Sequence, residues 1–136
     1  MELPSENAKA RCLHAGVCAS TVERAEKVFE DLFGFERIKD FQAPPELMDN
    51  LFGVNESVRV MVYDAGPIML EVFVSPAQAG RTGGYTHLCL AIADKEALIR
   101  NAADAGFAIR RHERPDGSHI VFLRDEDGNL YEIKEL

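Results

Sequence analysis

The sequence predicts an α+β fold of two tandem β-α-β-β-β modules, about residues 11–75 and 84–136, within one domain spanning residues 11–136. Three observations lead there. An ordered repeat runs through the chain, its two helices carry capping signals and a single apolar face, and each half closes with two strands joined by an acidic turn containing glycine. Residues 1–10, "MELPSENAKA", are polar and read as a flexible N-terminal tail.

The repeat is visible when "LHAGVCASTVERAEKVFEDLFGFERI" is set against "THLCLAIADKEALIRNAADAGFAIR". In each, a strand with a histidine near its start leads into a helix that stops at Gly-Phe; His14 precedes Gly34 by 20 residues and His87 precedes Gly106 by 19. Ser20 and Glu23 have capping-box spacing, and Val22, Ala25, Val28, Phe29 and Leu32 mark one buried helical face. In the second copy Asp94 is the expected N-cap, with Leu98, Ala102 and Ala105 as a smaller apolar stripe. "FERIKDF" and "FAIRRHE" read as the next strands. The pairs "VRVMVYDAG"/"PIMLEVFV" and "HIVFLRDEDG"/"NLYEIKEL" read as hairpins by their turn chemistry. The first copy alone has an insertion, about residues 42–57. There Pro44 and Pro45 interrupt a strand, and "PELMDNLFG" fits one short helix, as a surface loop or as a lid whose Leu47, Met48, Leu51 and Phe52 cover something.

Composition narrows the function classes. Of 136 residues 46% are hydrophobic and 28% charged, a globular balance, and no apolar run is long enough to span a bilayer, which points to a cytoplasmic protein without a membrane partner. A net charge of −8 without a Lys/Arg cluster argues against nucleic acid. Cys12, Cys18 and Cys89 lack CxxC spacing and are expected as reduced, partly buried thiols. Asp125, Glu126 and Asp127 read as a solvated acidic turn, and His112 and His119, which have no counterpart in the repeat, read as ordinary strand residues.

Four polar residues stand out because they recur. Strand alternation sets Leu13, Ala15 and Val17 on one face and His14, Gly16 and Cys18 on the other, and it separates His87 from Leu88, Glu71 from Leu70 and Val72, and Glu132 from Tyr131 and Ile133. His14 therefore pairs with His87 in the repeat, and Glu71 with Glu132. If the sheet curls, all four converge. Burying them together uncompensated costs several kcal/mol per charge. A divalent cation is the simplest compensation: two neutral imidazoles and two carboxylates neutralise it and leave two positions of an octahedral ion for water or a chelating substrate.

In this order, "LHAGVCAS", "AEKVFEDLFGFE", "IMLEVFV", "YTHLCLAI" and "DEDGNLYEIKE" resemble the vicinal oxygen chelate superfamily, which includes glyoxalase I, methylmalonyl-CoA epimerase, extradiol dioxygenases, fosfomycin-resistance thiol transferases and bleomycin-resistance proteins. The resemblance covers about residues 11–136. It implies a cupped, barrel-like mixed sheet with the helices outside, one divalent metal ion (Ni, Co, Zn or Mn) held by His14, Glu71, His87 and Glu132, and a homodimer. It further implies a lyase or isomerase like glyoxalase I or the epimerase. Such an enzyme removes a proton α to a carbonyl of a small carbonyl or thioester substrate and forms a metal-stabilised enediolate, with Glu132 as first candidate for the catalytic carboxylate and Glu71 as second. Thiol transfer, extradiol oxygenation and non-catalytic drug binding are the alternatives; the first two branches generally lack a ligand at the position of Glu71, and the last lacks the ligands altogether. Two departures bear on the substrate. Cys18 occupies the position where bacterial-type glyoxalase I usually carries a glutathione-binding arginine, and Glu71 the position where the epimerase usually has Gln.

Overall fold

A computed structural model describes residues 5, 7–81 and 84–136. Of the expected N-terminal tail, residues 1–4 and 6 lie outside the described residues. Strand β1 (His14–Ala19) leads into helix α1 (Val22–Ala25), which continues as a π-helical segment (Glu26–Leu32). Next come β2 (Glu36–Ala43), α2 (Pro45–Phe52), β3 (Val58–Asp64) and β4 (Met69–Val74). The second module runs β5 (Leu88–Ile92), α3 (Lys95–Asp104), β6 (Ala108–Glu113), β7 (His119–Arg124) and β8 (Leu130–Glu135). Apart from α2, which lies in the insertion of the first, both modules are thus β-α-β-β-β, and the fold class is α+β as the repeat predicts. Each forms its own mixed four-stranded sheet, in the orders β1-β4-β3-β2 and β5-β8-β7-β6. In the second, β5 runs parallel to β8 and the other pairs are antiparallel.

The chain divides into two compact units. The first consists of residues up to Val17 together with Phe35–Phe73. In it Ala43, Met48, Val58, Val60 and Val62 form a buried cluster, with Met69 and Phe73 packed against it. The insertion does contain a short helix, as its sequence suggests. Pro45 opens it, and Gly53 ends it at φ 71°, donating its N–H to the Asp49 carbonyl. Only one edge of α2 is buried. Met48 enters the cluster, whereas Leu47, Leu51 and Phe52 are exposed, the Phe52 ring nonetheless meeting Phe73 edge-on at 5.5 Å. Leu13 is also exposed, so the apolar face expected of positions 13, 15 and 17 begins at Ala15.

The second unit is Cys18–Gly34 together with Val74–Leu136, so it carries the first helix as well as α3. Ala25, Val28 and Phe29 are buried, as the apolar spacing requires, and both Phe29 and Phe33 meet the buried Tyr131 ring edge-on, at 6.2 and 5.3 Å. The π winding follows from the Phe33 N–H reaching the Val28 carbonyl, five residues back. On α3, Leu98, Ile99 and Ala102 are buried and Asp94 caps the helix by accepting the Ala97 N–H, as expected. The cap of α1 is a correction. Thr21, not Ser20, accepts the Arg24 N–H, because the Ser20 hydroxyl is taken by the Arg24 guanidinium and its N–H by Asp127.

Candidate functional site

The predicted ligands come together as two pairs, one in each unit. On the first, His14 at the start of β1 places Nε2 3.3 Å from Oε1 of Glu71 on the neighbouring β4. On the second, His87, just before β5, places Nε2 3.4 Å from Oε1 of Glu132 on the neighbouring β8. Local alternation produces both: Leu70 and Val72 are buried on either side of Glu71, and Tyr131 and Ile133 on either side of Glu132, leaving the carboxylates on the opposite, partly open face. Among the described residues no group of three or more His, Cys, Asp or Glu side chains gathers as a metal cluster; the structure delivers pairs.

The pairs differ in support. His87 Nδ1 lies 2.8 Å from the Tyr85 carbonyl oxygen, and since a carbonyl only accepts, Nδ1 carries the hydrogen and Nε2 is turned towards Glu132. The ring also lies 5.1 Å from that of Phe122, and the second carboxylate oxygen of Glu132 is 3.9 Å from the Lys134 ammonium. The second pair is less exposed, 36% and 18% against 56% and 29% for His14 and Glu71.

This donor chemistry fits a divalent ion. Two ligand atoms at about 2.1 Å from one ion stand about 3.0 Å apart at a right angle and about 3.4 Å apart at a tetrahedral angle, the range in which both His–Glu separations fall. A histidine whose second nitrogen is tied to a backbone carbonyl is also the usual arrangement of a metal-ligating imidazole.

Below the second pair lies a network that the charge pattern conceals. Asp125 and Asp127 are buried, which corrects the expectation of a solvated turn. Asp125 accepts the Asp127 and Asn129 N–H groups, the Asn129 amide and, at 2.7 Å, the Tyr131 hydroxyl. Burial pushes the Asp125 carboxyl above its ordinary value despite these donors, and burial together with the nearby Asp125 pushes the Tyr131 phenol well up, so it stays a donor. Asp127 accepts the Ser20 N–H and the Arg24 guanidinium, while Asn129 donates to the Cys18 carbonyl at 2.9 Å. Only Glu126 is solvated as expected; Lys27, which donates to it at 2.7 Å, holds its carboxyl below the usual range. The sequence signal was present in "DEDGNLY": an Asp followed two and four residues on by Asx-turn N–H donors, then by a tyrosine. The cysteines divide similarly. Cys18 is partly buried as expected, whereas Cys12 and Cys89 are exposed. His112 and His119 are exposed strand residues.

Two β-α-β-β-β modules that each carry a His–Glu pair, the histidine at or just before the first strand and the glutamate on the last, define a glyoxalase-type fold. The chain belongs to the Glyoxalase/Bleomycin resistance protein/Dioxygenase superfamily, whose family model matches residues 11–133. Its structure is similar to that of a glyoxalase family protein from Enterococcus faecalis, with 20% identity, a TM-score of 0.69 and coverage of 92% of this chain and 97% of that one. It is also similar to lactoylglutathione lyase from Agrobacterium tumefaciens, at 19% identity, TM-score 0.61 and 96% of each chain. The fosfomycin resistance protein FosX from Mesorhizobium loti matches at 17% identity and TM-score 0.62, over 89% of this chain and 87% of that one. At such identities the likeness is one of fold. No curated protein matches the chain. No helix among the described residues is long and apolar enough to cross a membrane.

Proposed function

We propose that this protein is a divalent-metal-dependent lyase or isomerase that moves a proton next to a carbonyl. The metal would be held by His14, Glu71, His87 and Glu132, the two pairs being contributed by one chain or by two copies in a homodimer. The observation that carries this reading is the recurrence of the His–Glu pair, at 3.3 and 3.4 Å, at equivalent positions of both modules. A repeat preserves a fold through its apolar positions; a polar pair on the open face of each copy contributes little to either core and suits a shared ligand.

When bound, the ion supplies Lewis acidity towards a carbonyl oxygen. The remaining work belongs to side chains. The Tyr85 carbonyl holds the His87 ring so that Nε2 is presented on the face of Glu132. Glu132 is the better base candidate because it is the less exposed carboxylate and lies beside His87, whose ring is held by the Tyr85 carbonyl, so it can take a proton from the substrate carbon and return it nearby. Glu71, more open, is the second candidate.

Metal-loaded protein incubated in deuterium oxide with a hemithioacetal and, separately, an α-substituted thioester tests the reaction. Conversion of the hemithioacetal supports a lyase, and deuterium entry into the thioester without other product supports an epimerase; exchange of neither contradicts proton-transfer chemistry. Glu71→Gln separates this reading from thiol transfer and oxygenation. As a ligand, Glu71 should lower metal affinity at least about tenfold when changed, the scale carried even by outer partners of metal ligands. Unchanged affinity would leave a three-ligand site.

A further inference from the structure

The register of the second sheet lines up a row of side chains that the proton-transfer reading does not use. Cys89 of β5 pairs with Glu132 of β8, Glu132 with Phe122 of β7, and Phe122 with Arg110 of β6. One step along the same face, Leu130 of β8 pairs with Arg124 of β7. Because a cross-strand row shares one face of the sheet, Arg110 and Arg124 stand on the face of Glu132, with Arg110 two strand spacings from it, about 10 Å. An open groove runs here, lined by Arg110, Arg111, Arg124, Phe122, Ile120 and Leu130 among others.

The charges of these arginines are uncompensated in an acidic molecule. The chain has 23 acidic and 15 basic residues, and Arg24, Lys27, Arg59 and Arg111 each meet a carboxylate. Arg111 also borders the groove, but its guanidinium is engaged by Glu96 at 3.2 Å. Arg110 and Arg124 are exposed and have no ion-pair partner among the described residues. Two unpaired guanidinium groups beside an apolar floor of Phe122, Ile120 and Leu130 make a site for an oxyanion on an apolar stem.

We infer that this groove is an oxyanion subsite, in which Arg110 and Arg124 bind a carboxylate or a phosphoryl-type group and Phe122 packs against the adjoining carbon chain. Its assignment as the far end of the substrate rests on the function proposed above, whereas anion binding itself does not. On that reading the substrate is an anion whose charged group lies several bonds from the carbon attended by Glu132, and the two arginines determine specificity without touching the reacting atoms.

The test uses the full chain, isotopically labelled and free of metal, titrated by NMR with sodium phosphate and separately with sodium succinate, against chloride at matched ionic strength. Saturable shifts centred on Arg110, Phe122 and Arg124 are expected, weakened about tenfold or more when Arg110→Gln and Arg124→Gln are combined. Tighter phosphate identifies a phosphoryl-type group and tighter succinate a carboxylate. Shifts no larger than those from chloride, or a double variant that titrates like the unaltered protein, would overturn the subsite. Saturable anion binding by a chain that takes up no metal would sink the metalloenzyme reading and leave the subsite standing.

Discussion

The two modules present the same pair of side chains on unequal frames. In the first, the turn before the glutamate strand is an exposed hairpin, where Asp64 accepts the Gly66 N–H at 2.9 Å, and the His14–Glu71 pair is open. In the second, the matching turn is buried, and Asp125, Asp127 and Asn129 fasten β8 to the first helix and the end of β1. The His87–Glu132 pair above it is less exposed and has its imidazole tied to a carbonyl. The two modules therefore carry equivalent His–Glu pairs, of which the second is less exposed and has more polar support from its own unit. That difference fits the division of labour proposed for the two glutamates, with Glu132 on the firmer frame as the proton carrier.

The strongest way to break this comparison is to remove the buried turn. Asp125→Ala leaves the Tyr131 hydroxyl, two backbone N–H groups and the Asn129 amide without their acceptor. At about 1–3 kcal/mol for each buried group left unsatisfied, a loss of at least about 3 kcal/mol is expected. Asp64→Ala, at the matching exposed turn, should change stability by less than about 0.5 kcal/mol. Urea unfolding of both variants measures the contrast; similar losses would mean that the two turns are equivalent after all.

A milder change sharpens the electrostatics. Because burial raises the Asp125 carboxyl in the folded state, the fold prefers its protonated form. Its contribution is therefore fully present below the ordinary value of 3.8 and is lost as pH rises through the folded value. Asp125→Asn, which cannot ionise, should lack that decline, so the stability advantage of the unaltered protein over the variant narrows as pH rises from the ordinary value. Unfolding curves at a series of pH values test the sign, and an advantage that widens would contradict it. Smaller again is the cap of the first helix. Thr21→Ala should cost about 1 kcal/mol through loss of the bond from the Arg24 N–H, measurable in the same urea series.

Much of this was readable in the chain. Among the described residues the eight strands and three helices follow from apolar periodicity and turn chemistry, and the His–Glu pairs follow from the repeat, since alternation fixes Glu71 between Leu70 and Val72, and Glu132 between Tyr131 and Ile133. The misreadings share a cause. "DEDG" looks solvated because its charge density is local, while its burial depends on Ser20, Arg24 and Cys18, more than 100 residues earlier. The same distant contact takes Ser20 away from the cap and leaves Thr21 in its place. Arg110 and Arg124 carry no local signal because their placement depends on register: only the pairing of three strands puts Arg110 in the row of Glu132 and Arg124 one step along the same face.

The central claim is that the matched pairs exist to hold a metal ion, and metal stoichiometry tests it most directly. Protein purified without a histidine tag, stripped with chelator and dialysed against cobalt, nickel, zinc or manganese should take up one ion per set of His14, Glu71, His87 and Glu132, and His87→Ala should abolish stoichiometric uptake while the fold survives. Uptake that stays substoichiometric for every metal, or that is unchanged in His87→Ala, would contradict it.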